Sequence, residues 1–269
     1  TAAGHSDIEV GSFVNPQWVP QMAATIELLK RLPSAKKATN WVLVPNVRGF
    51  EDATGADAKN IAVFTAASET FNQKNINTSI DGSFERFQGF LPEAKKRKMK
   101  IRGYVSTAFG CPYEGAVNPK AVLKVTERLL KLGVQEVSIG DTIGVANPKQ
   151  VESLTKSLLK LAGPKKLALH FHDTRGTALA NILAGLQMGV RIFDSSSGGL
   201  GGCPYAPGAA GNVATEDLLY MLHGMGVRTG INLDKHMEAS QYIQAQLGKT
   251  LPSKFLSAYL VTSTHSAAR

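Results

Sequence analysis

Seven short apolar runs alternate with longer amphipathic stretches along most of this chain, and that alternation constrains its fold more than any other feature. The runs are "DIEVGSF" from Asp7, "WVLVPN" from Trp41, "NIAVFTA" from Asn60, "KIRGYVST" from Lys100, "EVSIGDT" from Glu136, "LALHFHD" from Leu167 and "RIFDSS" from Arg191. They are rich in β-branched residues and mostly apolar on both faces, as buried parallel strands are. The stretches between them read as helices. "PKAVLKVTERLLKLG", Pro119 to Gly133, follows Asn118, so a capping side chain precedes a proline at the first helical position, and the segment closes on glycine. "NPKQVESLTKSLLKLAG", Asn147 to Gly163, repeats the pattern, and "TALANILAGLQMGV" does so without the proline.

Strands and helices in strict alternation make a parallel sheet, either doubly wound or closed into a barrel. A dinucleotide-binding sheet would carry G-x-G-x-x-G at its first strand–helix turn, and none occurs there. Polar residues instead stand near the C-terminal ends of many strands: Glu9 and Ser12, Asn46, Ser68, Ser106, Asp141, His172, and Ser195 to Ser197. Only a barrel points all of those ends at one shared site. The expected fold is a (β/α)8 TIM barrel forming a single catalytic domain over residues 1–269, with extra helices at its C-terminal end. A barrel needs eight strands and seven are counted, so the first βα unit is expected to be absent from this chain. A seven-stranded sheet would leave two unpaired edges.

Composition narrows the function. Two cysteines, Cys111 and Cys203, cannot build a disulfide scaffold, and neither a secretory signal nor a long apolar span is present. The net charge of +9 suits an anionic partner, or simply a solvated positive surface. The basic run "EAKKRKMK", Glu93 to Lys100, directly precedes an apolar strand and has no interleaved aromatics. It reads as a helix end whose cations complement the helix dipole, and not as a nucleic-acid patch.

The chemistry is concentrated late in the chain. His170 and His172, two apart in "LHFHD", project from the same face of a strand, a pairing that favours metal binding over a core role. Tetrahedral zinc would want more histidine or thiolate, whereas an amide or carboxylate oxygen as third ligand favours Mg2+ or Mn2+. Asn212 is a candidate for that oxygen; it could equally cap the helix of "VATEDLLYMLHGMG", a role for which Thr215 competes. It closes "GGLGGCPYAPGAAGN", Gly198 to Asn212, a loop with six glycines and Cys203. A glycine-rich loop there can open for substrate and close against water, and its thiol suits proton transfer. The plain alternative for Cys203 is a small apolar filler.

These segments resemble a known family. "GGLGGCPYA", "EVGSFVNPQWVPQM", "NVRGFEDA", "RGYVSTAFGCPYEG", "SIGDTIGVANP" and "HFHDTRGTALANILAGLQMG" are similar to the 3-hydroxy-3-methylglutaryl-CoA lyases, within a metal-dependent barrel superfamily that also holds isopropylmalate and homocitrate synthases. The resemblance covers nearly the whole chain. It implies cleavage of 3-hydroxy-3-methylglutaryl-CoA to acetyl-CoA and acetoacetate with Mg2+ or Mn2+, in leucine degradation and ketogenesis. It further implies His170, His172 and Asn212 as metal ligands, Cys203 as the loop thiol, Asp141 as a catalytic aspartate and Glu9 as a supporting carboxylate. Ser138 and Asn75 fall in segments that line the substrate site, and Cys111 stands as a secondary residue of the barrel mouth. The family's first strand carries an "R-D-G-L-Q" stretch that supplies an aspartate ligand and a catalytic arginine, and this chain has no such motif. The expected partners are an acyl-CoA and a second copy of the chain, with no nucleic acid and no membrane. The expected location is the cytoplasm, or the mitochondrial matrix if a presequence precedes the N-terminus. The competing readings are a condensing synthase or pyruvate-type aldolase of the same superfamily, an inactive fragment, and a non-catalytic polyanion-binding barrel.

Overall fold

All seven apolar runs form strands of one parallel sheet, in sequence order: β1 (Asp7–Ser12), β2 (Thr39–Leu43), β3 (Asn60–Ala66), β4 (Lys100–Ser106), β5 (Glu136–Asp141), β6 (Leu167–Phe171) and β7 (Ile192–Asp194). They are seen in a computed structural model that describes residues 2–32, 38–201 and 211–267, with side chains as far as residue 261. The helices are α1 (Thr25–Arg31), α2 (Val47–Gly55), α3 (Glu69–Ile76), α4 (Ile80–Gln88), α5 (Leu91–Lys96), α6 (Pro119–Lys131), α7 (Pro148–Ala162), α8 (Ala178–Gln187), α9 (Thr215–Gly224), α10 (Leu233–Leu247) and α11 (Lys254–Ala267). The expected caps are in place. Asn118 accepts from Lys120 N–H at the start of α6, and Asn147 forms a reciprocal capping box with Gln150 at the start of α7. The basic run closes α5 with Lys95 and Lys96 in its last turn, beside an Arg97–Glu93 ion pair, as a solvated helix end should.

Period-two alternation decides which side chains face the helices. A Cβ placed on Gly103 of β4 would touch Leu129 of α6 and Val134, so Ile101, Gly103 and Val105 face outward and Arg102, Tyr104 and Ser106 face inward. Ile101, Ile139, Leu158, Leu167 and Leu169 are fully buried in the layer between sheet and helices.

The inward side chains prove the curvature. Tyr104 of β4 donates to Glu9 of β1 at 2.6 Å, and Arg102 of β4 donates to Asp194 of β7 at 2.7 Å. Both pairs span three strand spacings, about 14 Å on a flat sheet, where parallel side chains could not meet. The sheet is therefore curled as in a (β/α)8 barrel. Among the described residues β1 pairs along its backbone only with β2, and β7 only with β6. The additional C-terminal helices pack through a second apolar cluster of Met237, Leu251 and Leu256. Among the described residues no helix is long and apolar enough to cross a membrane.

Candidate active site

The site is built at the C-terminal ends of β5, β6 and β7. His170 lies opposite Gly140 of β5 and Asp194 of β7. His172 lies just past the strand, tied by its N–H to the Asp141 carbonyl at 3.2 Å. The two imidazole centroids are 5.4 Å apart, so the i, i+2 spacing does bring them together. Residues 211–214 then insert between the ends of β6 and β7. Asn212 pairs with His172 in an antiparallel bridge, and Ala214 pairs with Ser196 in a parallel one.

This insertion bears on one of the two roles open to Asn212, the helix cap. The N-cap of α9 is Ala214, without a capping side chain, and Thr215 exchanges a 2.8 Å hydrogen bond with Ser195. Asn212 caps nothing. Its Nδ2 donates to the Leu200 carbonyl at 2.9 Å, while its Oδ1 is buried and, among the described residues, has no hydrogen-bond partner. A buried amide oxygen left unpaired costs about 1–3 kcal/mol, so its retention beside two imidazoles fits a cation-binding role. Among the described residues no three His, Cys, Asp or Glu side chains gather at metal-binding spacing; the donors that could hold a metal here are two imidazoles and one carboxamide oxygen. A hard six-coordinate ion accepts that set and completes its shell with further oxygens.

Below the histidines lies a charged network. Asp194 receives Arg102 at 2.7 Å, the Ser138 hydroxyl at 2.7 Å, and His170 Nδ1 at 3.4 Å. Burial alone would raise its pKa, but the Arg102 guanidinium and the His170 and Ser138 contacts prevail and hold it well below the usual carboxylate range. Arg102 is also paired with Glu136 at 2.6 Å and donates to the Tyr104 hydroxyl at 2.9 Å. Glu9 is solvent-exposed yet has protein packed around its carboxylate; that enclosure lifts its pKa despite the Tyr104 hydrogen bond.

Asp141 is fully buried and shapes the turn after β5, accepting from Val145 N–H at 3.0 Å and Ala146 N–H at 2.9 Å. Burial raises its pKa and those two amides only partly offset it. Asn75 stands half-buried in the last turn of α3 and, among the described residues, has no hydrogen bond to the histidine cluster. Cys111 is buried after β4, its Sγ 3.0 Å from the Ser68 hydroxyl, which also caps α3. Cys203 lies outside the described residues. Arg102, Tyr104 and Asp194 are the site residues that sequence reasoning missed. The signal for the first two was present, since polar residues recur at every second position of an otherwise apolar β4.

The sequence matches the HMGL-like family over residues 1–243. The chain belongs to that family. Its relatives in the family include hydroxymethylglutaryl-CoA lyase of Pseudomonas mevalonii, 53% identical over 91% of this chain and 81% of that protein. The crystal structure of hydroxymethylglutaryl-CoA lyase from Pseudomonas aeruginosa superposes with a TM-score of 0.94 at 48% identity, covering 97% of this chain and 87% of that one. An HMG-CoA lyase from A. baumannii, solved with coenzyme A and 3-methylmalate, superposes with a TM-score of 0.93 at 39% identity over 96% of this chain and 84% of that one.

Proposed function

We propose that this member of the HMGL-like family is a carbon–carbon lyase that cleaves 3-hydroxy-3-methylglutaryl-CoA to acetyl-CoA and acetoacetate. The observation that carries the reading is the buried Oδ1 of Asn212, without a hydrogen-bond partner among the described residues and on the residue that pairs with His172, in a chain half-identical to named lyases. His170, His172 and Asn212 hold the divalent ion, Mg2+ or Mn2+. When bound, that ion is a Lewis acid that acidifies the C3 hydroxyl of the substrate and orients it.

The reaction breaks the C2–C3 bond, removes the hydroxyl proton and delivers a proton to the departing enolate carbon. Asp141 and Cys203 divide those two transfers; burial raises the Asp141 pKa, which favours its uptake of a proton. Asp194 fixes the His170 ring through Nδ1, leaving Nε2 as the nitrogen for metal. Glu9, held by Tyr104, supports the site from β1, and Ser138 and Asn75 border the substrate. The net positive charge favours approach of a polyanionic acyl-CoA. The proposed assembly is a homodimer, which sedimentation equilibrium measures directly.

The test is release of acetoacetate from the acyl-CoA substrate by purified chain with Mg2+ or Mn2+. A folded, metal-loaded chain that releases none would refute the reading. Condensation of acetyl-CoA with a 2-oxo acid would move the chain to the synthases of the superfamily.

A further inference from the structure

Outside the site, Glu216 of α9 is an acidic side chain closely held on all sides, and its partners lead back toward the metal-binding residues. It is completely buried. Both of its oxygens accept one backbone N–H, that of Gly198, at 2.8 and 2.9 Å. Ser240 of α10 donates to Oε1, and His236 Nε2 lies 3.4 Å from the same atom. His5 reaches the other ring nitrogen of His236 at 3.0 Å. Burying an ionised carboxylate costs several kcal/mol unless such partners satisfy it. The chemistry proposed above makes no use of this group.

What Glu216 holds is the backbone that orients Asn212. Gly198 has a left-handed φ of 63°, and the Leu251 side chain stands 2.4 Å from where a Cβ would be, so only glycine fits. From there the chain turns into Leu200 and Gly201. Leu200 O accepts from Asn212 Nδ2 at 2.9 Å, and Gly201 O accepts from Asn212 N–H at 3.1 Å. Both nitrogens of Asn212 are thus fixed by residues 200 and 201, and that fixes where its carboxamide oxygen points. The opposing stem approaches so closely that a Cβ on Gly211 would lie 1.9 Å from the Gly199 carbonyl.

We propose that Glu216 is a positioning residue for the metal-binding carboxamide of Asn212, acting through the Gly198 N–H and the 198–201 turn. The inference rests on the reading of Asn212 as a metal donor. It makes Glu216 part of the metal site's support, although the carboxylate touches neither metal nor substrate.

Mn2+ affinity, read from the EPR signal of free Mn2+, tests this in the wild-type chain, Glu216→Gln, Asn212→Ala and the double variant, with thermal melts in parallel. Glutamine keeps the volume but points an NH2 group at the Gly198 N–H. Glu216→Gln should bind Mn2+ about 10–100-fold more weakly, as losses of outer-shell support do. The double variant should bind no more weakly than Asn212→Ala alone, because the two act as one unit. Wild-type affinity in Glu216→Gln, or a loss that adds in full to that of Asn212→Ala, would overturn the proposal whatever the melting temperature does. If Glu216→Gln does not fold, Ser240→Ala replaces it; the expected loss is about fivefold, one hydrogen bond's worth, and an unchanged affinity overturns the proposal. A wild-type chain that binds no Mn2+ would instead overturn the metal reading of Asn212, and this inference with it.

Discussion

Replacing Asp194 by Asn removes the charge at the centre of the barrel network while keeping its shape. In the native protein the carboxylate faces Arg102 at 2.7 Å, the Ser138 hydroxyl at 2.7 Å and His170 Nδ1 at 3.4 Å. The Arg102 side chain is only 10% exposed, so the guanidinium left behind cannot turn to water. Removing one partner of a buried pair costs about 3–5 kcal/mol. Here Glu136 at 2.6 Å and the Tyr104 hydroxyl at 2.9 Å still face Arg102, which places the loss near about 3 kcal/mol. Unfolding a chain of 269 residues carries an entropy of about 0.56 kcal/mol/K, so the melting temperature should fall by about 5 °C. The His170 ring also loses the acceptor that orients it, and divalent-ion affinity should drop about 10–100-fold. Calorimetry and Mn2+ titration measure the two effects. Ser138→Ala, which deletes one hydrogen bond, should cost only about 1 kcal/mol. Asp194→Asn with an unchanged melting temperature and unchanged Mn2+ affinity would show that the network neither supports the barrel nor orients the histidine.

The other predictions concern the proposed ligands, the loop thiol and one half-buried base. His172→Ala should empty the metal site; elemental analysis that still finds one metal per chain would reject the assignment. Cys203→Ala should lower kcat by about two orders of magnitude or more, the usual contribution of a proton-transfer group, while metal content stays intact; full turnover would remove the thiol from the mechanism. Burial, then His236, lower the His5 pKa from about 6.5 to about 4. Between those values the unfolded chain binds a proton that the folded chain does not, so stability falls as pH drops from about 6.5 to about 4. With screening at this half-buried site the loss is about 1–2 kcal/mol. His5→Asn should flatten that limb of a stability–pH curve from urea melts, and an unaltered curve would assign the acid sensitivity to other groups.

The HMGL-like assignment and the barrel were legible early because their signals are local. Apolar runs of strand length, the Asn-Pro starts of α6 and α7, and the His170–His172 spacing all depend on residues a few positions apart. The role of Asn212 was half legible. Its place at the end of the glycine loop was visible, but only the fold takes the helix-cap role from it by putting Ala214 at the N-cap of α9. Asp194 was passed over for a different reason. A lone aspartate in "RIFDSS" has no local partner, and its ion pair is with Arg102, 92 residues earlier.

The sequence by itself determined the order of strands and helices, the caps that start them and the residue types available for chemistry, because backbone periodicity and capping are short-range. Only the tertiary structure decided which of those residues meet. Glu9 finds Tyr104, and Arg102 finds Asp194, because curling the sheet turns its inward faces toward one another. Asn212 holds a buried oxygen with no hydrogen-bond partner among the described residues because a returning loop stem wedges between β6 and β7. Curvature and insertion sum contacts over the whole chain, and no local pattern of residues encodes that sum.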